Sequence, residues 1–187
     1  MIERTLVLIK PDAVKRALTG RIIARIEDVG LKIVAIKMVC PDRKLAGTHY
    51  AADKKWFMDT GTKTINAYKE KGVIIKKTPI QVSTRIRNYL IDFLSGAPVI
   101  AIVFEGNDAI YIARKLSGAT EPKRSDPSTI RGAFSTDSYE LSDSMNRPLR
   151  NLIHASEDKR TADREIAVWF KKSELLDYKR ADEDVMY

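Results

Sequence analysis

Apolar and polar positions alternate along the chain in short blocks, and each block predicts an element. Residues 5–9 (TLVLI) form an apolar, β-branched run ended by Lys10-Pro11, which reads as a buried strand. Pro11-Asp12 opens a helical turn. Residues 20–29 place Ile22, Ile23, Ile26 and Val29 on one helical face, with Gly30 as the stop. Residues 31–39 (LKIVAIKMV) alternate as a second strand, closed by Cys40-Pro41-Asp42. Asp42 caps a helix running to about Tyr50. Residues 81–94 carry Ile86, Tyr89, Leu90 and Phe93 at helical spacing, and Gly96-Ala97-Pro98 breaks that helix. Residues 99–104 (VIAIVF) are the most strand-like run, followed by a helix over 108–116 ended near Gly118. A short strand over 152–154 and a helix over 157–170 complete the pattern; the tail from Lys171 has no clear period.

Strands and helices therefore alternate, with short second and fourth strands. That order suits an α+β fold, a ferredoxin-like βαββαβ sandwich with an antiparallel four-stranded sheet and added helices. It suits a long parallel sheet less well, because the terminal apolar strands such a sheet needs are missing. Two stretches interrupt the alternation. Residues 58–86 read as a polar, basic, partly helical insertion. Residues 121–150 read as a long irregular loop rich in Pro, Ser and Asp, and a loop of that length in a small domain is normally functional.

Composition narrows the class. A chain of 187 residues, 44% apolar and 31% charged, fits one globular domain over 1–187 and excludes a disordered chain. The N-terminus does not read as a signal peptide, and no run approaches the roughly 18 apolar residues of a membrane helix. Cys40 is the only cysteine, which excludes an internal disulfide. A cytoplasmic protein that does not engage a membrane is expected. The net charge is +8, and residues 54–87 hold nine basic against two acidic residues, nearly all of that excess. A phosphate-bearing partner is implied.

Only two histidines are present, His49 and His154. His154 ends a strand beside the start of a helix at Glu157, where free N–H groups favour an anion. A neutral imidazole there is a nucleophile toward a phosphoryl group. Glu165, further along the helix, is placed to orient the ring; the alternative is a half-buried histidine capped by Ser156. Lys10 ends the first strand, where an ammonium suits a phosphate or is a solvated charge. Arg114 and Arg131 are phosphate clamps or surface charges, and Thr120, Thr129 and Asn151 are small hydrogen-bonding groups nearby. Neither GxxxxGK[ST] nor GxGxxG occurs, so a nucleotide site must be built without them.

Together these pieces resemble the nucleoside diphosphate kinase family, most closely its archaeal members. The resemblance rests on TLVLIKPDAV (5–14), His49-Tyr50, PVIAIVFEG (98–106), Arg114 followed by GATEP (118–122), TIRGAF (129–134), NLIHAS (151–156), Glu165-Ile166 and Trp169-Phe170. It implies ping-pong transfer of a phosphoryl group through a phosphohistidine on His154. It implies that Lys10, Tyr50, Arg114, Thr120, Arg131 and Asn151 bind phosphates and ribose or surround the histidine, and that Ser156 and Glu165 support it. Trp56 or Phe57 would stack on the base. The implied ligands are ATP and other nucleoside tri- and diphosphates, with Mg²⁺ arriving on the nucleotide and no metal held by the protein alone. A homo-oligomer, a hexamer, is implied as well. Ala155 and Glu157 stand where the family usually has Gly and Asp, and Ala133 where it usually has Asp. The competing classes are a nucleic-acid-binding module using the basic insertion, which is not favoured, and an inactive scaffolding member of the family.

Overall fold

The computed structural model describes residues 1–50 and 52–186. Four strands form one antiparallel sheet: β1 (Ile2–Ile9), β2 (Lys32–Val39), β3 (Val99–Asn107) and β4 (Ile153–Ala155), in the spatial order β2-β3-β1-β4. This is the expected ferredoxin-like arrangement. The strands differ from expectation in length. β1 and β2 each run eight residues, so β2 is not short; only β4 is, at three. β1 gains its polar start because β3 pairs with it from end to end and Arg4 bonds Glu105 at 2.6 Å.

The two faces of the sheet sort by the two-residue period of the strands. Val7, Ile9, Ile100, Ile102, Phe104, Ile153 and Ala155 pack against α1 (Pro11–Lys15), α2 (Thr19–Glu27) and α6 (Ala109–Ser117). Leu6, Leu8, Val99, Ala101 and Val103 pack on the other face against α3 (Arg43–His49), α5 (Pro79–Ser95) and α9 (Lys159–Trp169). On β2 a register shift between Ile33 and Ala35 places Val34 and Ala35 both in the second core, which breaks the simple alternation expected there.

The basic stretch is a helical hairpin of α4 (Lys54–Glu70) and α5, inserted between β2 and β3. Asp53 caps α4, and Thr78 with Gln81 forms a capping box that starts α5 at Pro79. The loop over 121–150 also has structure: a 3₁₀ turn over Pro122–Arg124, α7 (Ile130–Phe134) and α8 (Tyr139–Ser144). Buried Asp137 organises it, accepting two bonds from Arg147 and one from the Arg150 N–H. Such local polar pairs leave no hydrophobic period, so a pattern search reads only a loop. The tail behaves likewise. Leu176 N–H donates to the Val34 carbonyl (2.9 Å), the Tyr178 hydroxyl to the Ile33 carbonyl (2.8 Å), and buried Lys32 pairs with both Glu105 and Glu183 of α10 (Glu183–Met186).

Gly61 is buried where α4 meets α5, and a Cβ there would run into the Pro79 carbonyl. Gly61→Ala is expected to destabilise the protein by about 2 kcal/mol through overpacking, read as a lower thermal midpoint. An unchanged midpoint would mean that the two helices are not closely packed.

Candidate active site

β4 places the central side chain. Its neighbours Ile153 and Ala155 face the first core, so His154 faces the other side, toward α3 and α9. Continuing the parity of Leu6 and Leu8 puts Lys10 at the end of β1 on that same side, and Leu8 is the pairing partner of His154. Leu152, just before β4, has a left-handed backbone (φ 69°). Two bonds hold it there: Asp12 Oδ2 accepts its N–H at 3.0 Å, and its carbonyl accepts from Lys10 N–H at 2.8 Å.

Glu165 on α9 is the hub. It is 3% exposed, and its Oε2 accepts from His154 Nε2 at 2.9 Å and from the Ser156 hydroxyl at 2.7 Å. Its Oε1 accepts from Arg164 at 3.3 Å. A carboxylate only accepts, so this network assigns the proton of neutral His154 to Nε2 and leaves the lone pair on Nδ1. The structure thus brings Glu165, the residue expected to orient the ring, within hydrogen-bond distance of His154. In the alternative reading Ser156 caps the histidine; in the structure its hydroxyl donates to Glu165 instead, and Asp158 accepts from Thr161 N–H and caps α9, which begins at Lys159 rather than Glu157. The helix start expected to hold an anion is thus already occupied by a carboxylate of the chain.

His49 backs His154. Its ring lies edge-on to that of His154, with centroids 4.6 Å apart, and its Nδ1 accepts from Trp169 Nε1 at 3.3 Å. Burial, then the neighbouring His154, Lys10 and Arg164, hold its pKa well below the usual histidine value, so it stays neutral. Tyr50 packs edge-on to His49, and its buried hydroxyl has no partner among the described residues. Burial, then Glu165 and Asp12, raise its pKa, so it remains an uncommitted donor.

Lys10 and Arg131 gather around Asn151. Lys10 is 6% exposed and donates to Asn151 Oδ1 at 2.8 Å, while Asn151 Nδ2 donates to the Thr120 carbonyl at 2.9 Å. Burial and then Arg131 bring the Lys10 pKa down to about 8. Arg131 spends its fork on backbone carbonyls: Asn151 (3.1 Å), Gly118 (2.7 Å), Ala119 (3.2 Å) and Ile153 (2.8 Å). Burial, then Arg114, lower its pKa to about 10. Arg131 is thus a staple of the loop as well as a charge. Arg114 and the Thr120 side chain are exposed. Gly132 passes so close to the Ser125 and Asp126 carbonyls that no Cβ fits, whereas Ala133 is exposed and Ala155 lies in the extended backbone of β4. Trp56 and Phe57 stand half-buried on α4, and their ring contact is with each other, at 5.3 Å between centroids.

Three supports escaped the sequence reading. Asp12 was read as the opening of a helical turn, yet it holds Leu152. Arg164 braces Glu165 and also donates to the Thr48 and His49 carbonyls at 3.2 Å. Arg87 bonds the Tyr50 (2.7 Å) and Gly47 (2.8 Å) carbonyls and so fixes the end of α3, but in the sequence it is one cation among nine.

The site therefore joins an imidazole held by Glu165 to buried Lys10 on the same face of a ferredoxin-like sandwich. The family described as nucleoside diphosphate kinase matches residues 3–76 and 80–175. A nucleoside diphosphate kinase of Pyrobaculum aerophilum is 40% identical over 181 residues, covering 94% of this chain and 99% of its own. The crystal structure of an NDP kinase from the same organism superposes with a TM-score of 0.91 at 38% identity, over 95% of this chain and 100% of that one. A structure from Borrelia burgdorferi, described as a transition-state mimic with bound vanadate and ADP, has a TM-score of 0.80 at 41% identity, over 97% and 95%. The chain belongs to the nucleoside diphosphate kinase family.

A phosphate dianion favours the charged form of Lys10. As pH rises through about 8 the ammonium loses its proton, so affinity for a phosphate ligand is expected to be flat below pH 8 and to fall above it. Calorimetric titration of ADP from neutral pH upward checks this; constant affinity through pH 9 would remove Lys10 from the phosphate site.

Proposed function

We propose that the chain moves the terminal phosphoryl group of a nucleoside triphosphate to a nucleoside diphosphate by a ping-pong route through Nδ1 of His154. The observation that carries this reading is the Glu165 hub, which commits Nε2 and leaves Nδ1 as the free lone pair. In the first half-reaction Nδ1 attacks the γ-phosphorus. The bond to the β–γ bridging oxygen breaks, and the diphosphate leaves. The Nε2 proton stays in its bond to Glu165, whose negative charge stabilises the positive ring that forms. In the second half-reaction a terminal oxygen of the acceptor diphosphate attacks the same phosphorus and restores neutral His154. No proton need leave the ring, so the site works by positioning and charge.

Lys10 and Arg131 supply positive charge for the transferring group, with Arg114 beside them. Asn151 holds the Lys10 ammonium in place, and the free Tyr50 hydroxyl donates into the site. Thr120 and Trp56 are assigned to the nucleotide, Trp56 by stacking, which tolerates any base. Mg²⁺ fits as a companion of the nucleotide. His49, His154 and Glu165 bring ligand atoms within 4.8 Å of one another, but two imidazoles and one committed carboxylate are a poor oxygen shell for Mg²⁺. The phosphate oxygens would therefore hold it, and it would neutralise charge on the phosphates.

The proposal takes residues 1–187 as one domain of a cytoplasmic homo-oligomer, a hexamer; no helix among the described residues is long and apolar enough to cross a membrane. Exposed Ile36 and Met38 on edge strand β2 support a contact between copies. Binding RNA on the sheet is disfavoured, since helices cover both of its faces.

Intact mass after mixing with Mg·ATP tests the route. One acid-labile phosphoryl group is expected on the wild type and none on His154→Ala. Glu165→Gln should retain the adduct but form it on the order of 10² times more slowly, as the ring loses its charge partner. An adduct that persists in His154→Ala would overturn the assignment.

A further inference from the structure

The two insertions are locked to each other, a contact that neither the His154 network nor the sheet requires. Helix α8, from the loop over 121–150, reaches across to the α4–α5 hairpin. The Tyr68 hydroxyl at the end of α4 donates to Asp143, and burial followed by this bond pushes its pKa up to about 12. Lys71 pairs with Glu140 at 2.8 Å. On α5, Arg85 (2.6 Å) and the Tyr89 hydroxyl (2.9 Å) both donate to Asn146 Oδ1. Asn146 has a left-handed backbone (φ 49°), which aims its amide back at the hairpin.

The other end of α8 is rooted beside the phosphate side of the site. Tyr139 N–H donates to buried Glu121 at 2.9 Å, next to Thr120. Asp137, which begins the segment, accepts from Arg150 N–H at 2.7 Å, next to Asn151. The hairpin carries Trp56 on α4, and its other helix, α5, is anchored to α3 through Arg87, the Arg43–Asp92 ion pair and the buried side chains of Ile91 and Ala46. A nucleotide with its phosphates at Lys10 and its base at Trp56 would span the gap that α8 bridges.

We propose that α8 and the hairpin form a clasp, with Tyr68, Asp143, Arg85 and Asn146 as positioning residues that hold the base-side hairpin at a fixed distance from the phosphate side. This rests on the nucleotide reading above and adds to it a determinant of nucleotide affinity outside the reacting groups. A nucleotide finds the hairpin already placed and does not bear the cost of ordering it. A ligand made of phosphates alone gains nothing from the clasp.

The test compares two ligands by calorimetry on the full chain. Tyr68→Phe removes one tie and Asn146→Gly removes the bonds from Arg85 and Tyr89 while allowing the left-handed backbone, leaving the Lys71–Glu140 pair in place. The double variant is expected to bind Mg·ADP about tenfold more weakly, with pyrophosphate affinity unchanged. Unchanged ADP affinity overturns the proposal, and so does an equal loss for both ligands, which would mark general damage. Failure of the phosphohistidine assay in the wild type would instead sink the transfer reading, while the two affinities still decide the clasp.

Discussion

A buried carboxylate must be satisfied on every side or it unfolds its surroundings, and Glu165 sets that constraint here. Ser156, His154 and Arg164 are its donors, and each comes from a different place relative to β4 and α9. Ser156 is fully buried and bonds Glu165 more closely than it bonds the Leu6 carbonyl, so the end of β4 is defined by the hub and not only by the sheet. The imidazole inherits its tautomer and its direction from the same atom. One acceptor oxygen thus couples the end of the sheet, the last long helix and the chemistry.

The cationic side obeys the opposite rule. Lys10 is buried and Arg131 partly so; burial and then Arg131 lower the Lys10 pKa, while burial and then Arg114 lower that of Arg131. Among the described residues no acid forms an ion pair with either, and Asp12 acts on both only from a distance. Their donors go to Asn151 and to backbone carbonyls, which fix position but supply only partial charge. Positive charge held in this way is placed before any ligand arrives, which suits the phosphate role proposed for it.

Much of this was legible in the sequence because hydrophobic period is a strong signal. The runs at β1 and β3, the His154 strand and the amphipathic α2 followed from spacing, and the sandwich followed from their order. The family motifs placed Lys10, Asn151, Arg131, His154 and Glu165 together. What was not legible depends on polar partners far apart in sequence. The length of β2, the path of the tail over Ile33 and Val34, and the folding of 121–150 around Asp137 have no period to find. Nor does Arg87 announce itself, since a guanidinium that binds two carbonyls looks in sequence like one that binds water. The start of α9 was misjudged by two residues because Glu157 and Asp158 are both plausible caps, and only backbone geometry separates them.

The site's bonds are also unusually long in sequence. Lys10 meets Asn151 across 141 positions, Asp12 meets Leu152 across 140, and Leu6 meets Ser156 across 150. Loop closure on that scale comes late in folding, after local helices have formed. During synthesis, the first strand must therefore wait, unpaired along the edge that β4 will cover, until nearly the whole chain has left the ribosome. A chain that stops short of β4 lacks Asn151, His154 and Ser156, so the site cannot assemble before that strand arrives.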